Sequence, residues 1–206
     1  MIATVGTPKQ FTSEGELKKL LLELLPNQGH WSEEEYLWLT DHTNHYVEFT
    51  DGFIEVLPMP TERHQTILVF LLLAFHSYIV PSKGKVLFSP LRLRIRAGKY
   101  REPDLILLRS SSDPRRENRY WTGADLTLEV VSEDKPERDL VDKPVDYAEA
   151  GVPEYWIANP FTETITVFRL EGKSYVEHGV FARGTTATSP SLSDFAVSVN
   201  AVMDAN

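Results

Sequence analysis

From Arg101 to Lys143 the chain alternates short apolar runs with polar connections, and two of those runs each contain one carboxylate. Leu126-Thr127-Leu128-Glu129-Val130-Val131 reads as a buried β-strand, apolar but for Thr127 and Glu129 and β-branched at three positions. In Arg101-Glu102-Pro103-Asp104-Leu105-Ile106-Leu107-Leu108, Pro103 suits the start of a strand, where its missing N–H does no harm, and Asp104 then sits near the strand end. Residues 14–25 set Leu17, Leu20, Leu21 and Leu24 at helical spacing, and Pro26-Asn27-Gln28-Gly29 stops that helix. A second helix starts at Ser32, which with Glu35 forms a capping box framed by Trp31 and Tyr36 as a hydrophobic staple. Asp51-Gly52 between alternating runs predicts a two-residue hairpin pairing Thr50 with Phe53, Phe49 with Ile54 and Glu48 with Glu55. From Thr61 onward, Ile67, Leu68, Leu71, Leu72, Phe75 and Ile79 make one wide helical stripe, with His64 on it in the first turn.

The second half of the pattern is equally segmented. Lys85 to Ile95 reads as a strand interrupted at Ser89-Pro90, with Arg92, Arg94 and Arg96 alternating onto one face. Ser110 to Tyr120 is a polar loop carrying Arg115, Arg116 and Arg119, and Ser132 to Asp139 is a polar connection. A helix tolerates proline only in its first turn, so Pro144 starts a helix near Asp142 that runs to Gly151 and puts Lys143 in that turn. Pro153 to Pro160 is a strand, and strand–helix–strand over 126–158 fits a right-handed crossover between parallel strands. Thr164–Leu170 and Ser174–Phe181 form a hairpin around Glu171-Gly172-Lys173, and Phe195 to Val199 closes the chain.

Composition narrows this picture. A length of 206 residues predicts one domain, here a helical N-terminal extension over 1–44 and a core over 45–200. The absence of cysteine excludes disulfide scaffolds, thiol nucleophiles and Cys-based zinc sites. No basic leader precedes a long apolar run, and the run from Ile67 to Phe75 is too short to span a bilayer, so the expectation is a soluble cytoplasmic protein. A net charge of −9 opposes general coating of nucleic acid while leaving room for a local basic groove. The row Arg92, Arg94, Arg96 is either such a groove or a charged edge strand.

A carboxylate among Leu and Val side chains is costly to desolvate unless a cation or a hydrogen-bond donor meets it. Asp104 and Glu129, one on each strand, with Lys143 downstream, are therefore either salt-bridged core residues or ligands of a divalent metal beside an activated water. Glu48 facing Glu55 across the hairpin leaves the same choice between a shared cation and a solvated face. His64 at a helix start is either a hydrogen-bonded core residue or a site residue.

The order Pro103-Asp104, then Leu128-Glu129-Val130-Val131-Ser132, then Asp139 and Lys143, then Tyr147-Ala148-Glu149-Ala150-Gly151-Val152-Pro153-Glu154-Tyr155-Trp156, resembles the Uma-type restriction-endonuclease family of the PD-(D/E)XK nuclease superfamily. The hairpin at Asp51-Gly52 and His64 match as well, so the resemblance spans about 45–200. It implies an α/β (α+β) restriction-endonuclease-like fold, a mixed β-sheet flanked by helices. It further implies Mg²⁺, with Mn²⁺ as a substitute, held by Asp104 and Glu129, and hydrolysis of DNA phosphodiester bonds. The superfamily places a lysine two residues beyond the glutamate, where this chain has Val131; the resemblance implies that Lys143, from the next helix, takes that part. His64 and Glu55 are positioning candidates, Glu55 also as a metal ligand, and Asn159 stands where the family often has Asp. Cutting both strands of a duplex calls for two sites, hence a homodimer with a weak, local grip on DNA. Two other classes stay open: a catalytically silent nucleic-acid- or protein-binding module, and a metal-dependent hydrolase of a smaller phosphodiester.

Overall fold

The computed structural model describes residues 28–206, so the helix expected over 14–25 lies outside the described residues. Helix α1 (Glu33–Asp41) begins at Ser32, whose hydroxyl accepts the Glu35 N–H while the Glu35 carboxylate accepts the Ser32 N–H, completing the expected capping box. Strands β1 (Val47–Thr50) and β2 (Phe53–Val56) pair in the register read from the sequence, Glu48 opposite Glu55 included. Asp51 (φ 48°) and Gly52 (φ 88°) both adopt the left-handed conformation that this turn demands.

Helix α2 (Glu62–Ile79) buries Ile67, Leu68, Leu71, Phe75 and Ile79, each contributing roughly 1.5–3 kcal/mol. After it come β3 (Lys85–Phe88), β4 (Arg92–Arg96), β5 (Lys99–Arg101), β6 (Leu105–Leu108), β7 (Tyr120–Trp121) and β8 (Leu126–Val130). A π-helical turn (Arg138–Asp142) then runs straight into α3 (Lys143–Glu149), followed by β9 (Glu154–Asn159), β10 (Thr164–Glu171) and β11 (Ser174–Ala182). The chain ends with β12 (Thr186–Thr188), β13 (Ala196–Ser198) and the short helix α4 (Val199–Met203).

These strands form a six-stranded sheet ordered β11-β10-β9-β8-β6-β3, a five-stranded sheet ordered β2-β1-β5-β4-β7, and the β12–β13 pair. β8 and β9 run parallel, as a connection through a helix requires. One face of the six-stranded sheet (Leu105, Leu107, Leu126, Leu128, Val130) packs on α2. The other (Ile106, Leu108, Val131, Tyr155, Ile157) packs on Leu93, Ile95 and Trp121 of the second sheet and on Tyr147 of α3. Burial on both faces is why the β6 and β8 sequences lack polar alternation. The result is the mixed α+β architecture expected from the sequence.

Three local readings change. Lys85 to Ile95 is not one interrupted strand: β3 joins the six-stranded sheet and β4 the other. β4 is not an edge, since it lies between β5 and β7. The polar 132–139 connection is not all loop, because Arg138 and Asp139 are buried in the π-helical turn that precedes α3.

Candidate active site

The β6–β8 register sets Leu105 opposite Leu128, so Asp104 and Glu129 face each other directly across neighbouring strands. Strand alternation puts both on the face that looks toward α3. Asp104 Oδ2 accepts the Val130 N–H at 2.8 Å and bonds His64 Nε2 at 3.0 Å, and the Asp104 N–H lies 3.4 Å from Glu129 Oε2. Glu129, only 1% exposed, accepts the Tyr147 hydroxyl on Oε1, and its Oε2 is 2.7 Å from Lys143 Nζ. Lys143 Nζ is also 3.0 Å from Asp139 Oδ1.

Local sequence sets each of these positions. The Thr61 hydroxyl caps α2 by accepting the His64 N–H at 3.2 Å, which holds the imidazole at the helix start beside Asp104. Asp139 and Lys143 are four residues apart and share one helical face. The Tyr155 hydroxyl donates to the Asp139 carbonyl at 2.8 Å and pins the π-helical turn to β9.

The electrostatics of the cluster are uneven. Burial opposes the Lys143 ammonium, but Glu129 and Asp139 outweigh it and hold its pKa well above the usual lysine range. Lys143 is therefore a fixed cation and not a proton acceptor. Burial likewise opposes a charged His64, yet the hydrogen bond and charge of Asp104 raise it on balance. Burial would raise Asp104, but His64, Lys143 and the Val130 N–H lower it overall. Glu129 is pushed up by burial and by the neighbouring Asp104 and Asp139, against Lys143. Three buried or half-buried acids thus confront Lys143 and His64.

They open onto a cleft of about 650 Å³, lined by His64, Asp104, Glu129, Asp139 and Lys143 together with Glu102 and the exposed Met59 and Phe161. The donor set fits a hard divalent cation. Asp104 and Glu129 offer carboxylate oxygens from adjacent strands, and Asp104 Oδ1 has no hydrogen-bond partner among the described residues. No group of three or more His, Cys, Asp or Glu ligands converges among the described residues.

Other candidates from the sequence lie elsewhere or do different work. Glu55 is not brought to the acid pair; it bonds Lys135 at 2.8 Å and lies 3.5 Å from Arg138. Val131 is buried in the core beside Tyr147. Asn159 Oδ1 accepts the Phe161 and Thr162 N–H groups and so shapes the β9–β10 turn. Each guanidinium of the arginine row has an acidic partner, Arg92 with Asp41, Arg94 with Glu33, and Arg96 with Asp51 and Glu149, although Arg92 Nε and Nη1 and Arg94 Nε are buried without a hydrogen-bond partner.

Sequence reading gives no site role to Glu102, Asp139 or Tyr147, although Asp139 and Tyr147 stand in the motif that carries the family resemblance. Glu102 is 4% exposed, its Oε2 has no partner, and burial together with Glu48 pushes its carboxyl up to about 8. Its spacing two residues before Asp104 was the available signal.

Among solved structures, a protein titled a "putative nuclease belonging to DUF820" from Anabaena variabilis ATCC 29413 superposes with a TM-score of 0.70 at 22% identity. The match covers 84% of this chain and 98% of that one, and at this identity it shows a shared fold. No curated protein matches the chain. No helix among the described residues is long and apolar enough to cross a membrane. The family model Uma2, described as "Putative restriction endonuclease", matches residues 33–200, a span that takes in both sheets and every residue of the acid cluster, and the chain belongs to that family.

Proposed function

We propose that the protein is a Mg²⁺-dependent endonuclease that hydrolyses DNA phosphodiester bonds, with Mn²⁺ able to substitute. The observation that carries this is the direct opposition of Asp104 and Glu129 across β6 and β8, with the Lys143 ammonium 2.7 Å from Glu129. Membership of a family described as restriction endonucleases supports DNA as the substrate.

Asp104 and Glu129 would hold the ion. When bound, it supplies charge stabilisation to the scissile phosphate and lowers the pKa of a water. Everything else falls to the chain's own groups. His64 and the Val130 N–H fix the Asp104 carboxylate, and the Tyr147 hydroxyl fixes that of Glu129. Lys143, held as an ammonium by Glu129 and Asp139, orients the attacking water and offsets negative charge growing on the phosphate. Its position on the helix that follows β8 lets it do so although Val131 cannot. The working unit is a homodimer, one site for each strand of the duplex; sedimentation as a monomer at micromolar concentration would contradict this.

The test is cleavage of supercoiled and linear duplex DNA, with RNA and a small phosphodiester as parallel substrates. The wild-type protein should cut DNA with Mg²⁺ or Mn²⁺ and not in EDTA. Asp104→Ala should lose about a thousandfold in rate, the several kcal/mol that metal-borne charge stabilisation provides. No cutting of DNA by the wild type with either metal would overturn the proposal.

A further inference from the structure

A second cavity, of about 450 Å³, lies beside β3, between that strand and the loop before β7. Its lining includes Lys85, Arg116, Ser111, Ser112 and Asn118. Lys85 and Arg116 make no salt bridge among the described residues, in contrast to the row Arg92, Arg94, Arg96. Arg116 Nε, like the Nε atoms of Arg92 and Arg94, is buried without a hydrogen-bond partner, but unlike theirs its guanidinium makes no ion pair among the described residues. A buried donor without an acceptor is costly, and a ligand oxygen at that point would remove the cost. Of the two acids on the lining, Asp113 is held by Arg115 through both of its oxygens, and Glu117 stands exposed on the rim.

The loop is built to hold Arg116 there. Arg115 bridges Asp113 and Asp125, at 2.7 Å to each. Gly123 makes room for this, since a Cβ at that position would come within 2.8 Å of Arg115 Cδ. Arg116 itself forms a β-bridge with the buried Trp121. Lys85 projects from the neighbouring strand, where it pairs with Leu108.

The cavity also has a defined relation to the acid pair. Lys85, Leu108, Ile106 and Asp104 share one face of the sheet by alternation. Along β6, Leu108 and Asp104 are four residues apart, roughly 13 Å, which is the axial advance of about four nucleotides of duplex. The turn between β3 and β4 contributes Ser89 to the first cleft and Leu91 to the second.

We infer that the Lys85–Arg116 cavity is a phosphate-binding site that grips the nucleic-acid backbone a few nucleotides from the scissile bond. Its assignment to backbone phosphate rests on the proposed nuclease reading; its assignment to phosphate does not. Arginine meets a phosphate through paired N–H donors, and the serine hydroxyls and the Asn118 amide add neutral ones.

The experiment measures duplex DNA binding in EDTA, so that nothing is cut, for wild type, Lys85→Gln, Arg116→Gln and a remote control, Lys173→Gln. In parallel, the Arg116 Nε–H signal, assigned by its loss in Arg116→Gln, is followed by NMR as inorganic phosphate is added. Each cavity variant should weaken DNA binding about tenfold, and a variant combining Lys85→Gln with Arg116→Gln should lower the salt slope by about 0.9, with the control unchanged. A saturable phosphate-induced shift of the Arg116 signal with unaltered DNA binding would keep the phosphate site and make free phosphate its ligand. Binding through the cavity without any cleavage in Mg²⁺ or Mn²⁺ would keep the site and remove the nuclease reading. Unchanged DNA affinity together with no phosphate-induced shift overturns the inference.

Discussion

Two charged regions of this molecule look alike in the sequence and differ in the fold. The row Arg92, Arg94, Arg96 faces α1 and the hairpin, and each guanidinium meets an acid: Asp41, Glu33, then Asp51 and Glu149. Charge there is matched, and its effect is to fasten α1 and the β1–β2 turn to the sheet. At the β6–β8 strand ends the charge is unmatched. Three carboxyl groups, Asp104, Glu129 and Asp139, share Lys143 and His64, beside a Glu102 carboxyl that keeps its proton up to about pH 8. Matched charge is what a fold needs to hold itself together; an excess of buried carboxyl groups is where, on the proposed reading, a cation from outside would bind. A related contrast separates Arg115, ion-paired with Asp113 and Asp125, from its neighbour Arg116, which makes no ion pair among the described residues and reaches Asp113 only through its charge.

The comparison breaks most sharply if the central cation is removed. Lys143→Met would leave Glu129 and Asp139 buried without their ammonium, at a cost of about 3–5 kcal/mol. Urea unfolding at pH 7 should show that loss. It should shrink in acid, where Glu129, whose carboxyl is pushed up by burial, takes up a proton, and an unchanged midpoint would mean the cluster is not energetically coupled.

A smaller effect of opposite sign is expected at Glu102. Its carboxyl is raised from 4.5 to about 8, so between these values the folded protein keeps a proton that the unfolded chain has lost. Stability therefore falls as pH rises through that window. Glu102→Gln should stabilise the protein at pH 8 by on the order of 3 kcal/mol, and hardly at all near pH 4.5. Denaturant midpoints at the two pH values check this, and a gain independent of pH would contradict it.

Much of the site was legible because its signals are local. The two-residue turn at Asp51-Gly52 determines the hairpin register, and one acid in each of two apolar runs marks Asp104 and Glu129. Pro144 put Lys143 in the first turn of α3, where it is found. What stayed hidden depends on distant partners. Nothing near Arg94 in sequence announces Glu33, and nothing near Lys85 reveals that β3 and β4 part into different sheets. The π-helical turn is not legible because its buried members, Arg138 and Asp139, read as part of a polar connection. Glu55 seemed a candidate from its place opposite Glu48, yet its carboxylate meets Lys135 and Arg138.

The smallest expected effect belongs to the matched row. Arg94→Gln breaks a pair with Glu33 that is about one-third exposed on each side, so the loss should be about 0.2–1 kcal/mol and should fade with salt. DNA affinity should not change, and a clear drop would mean that the row contributes to binding after all.

The central claim, that unmatched carboxylate at the β6–β8 strand ends constitutes a cation site, is tested most directly by calorimetric titration of Mn²⁺ into wild type and Asp104→Asn, followed by competition with Mg²⁺. The account predicts saturable binding to the wild type that Mg²⁺ displaces, weakened by more than about tenfold in the variant. Equal Mn²⁺ binding by the two proteins, or none by the wild type, would contradict it.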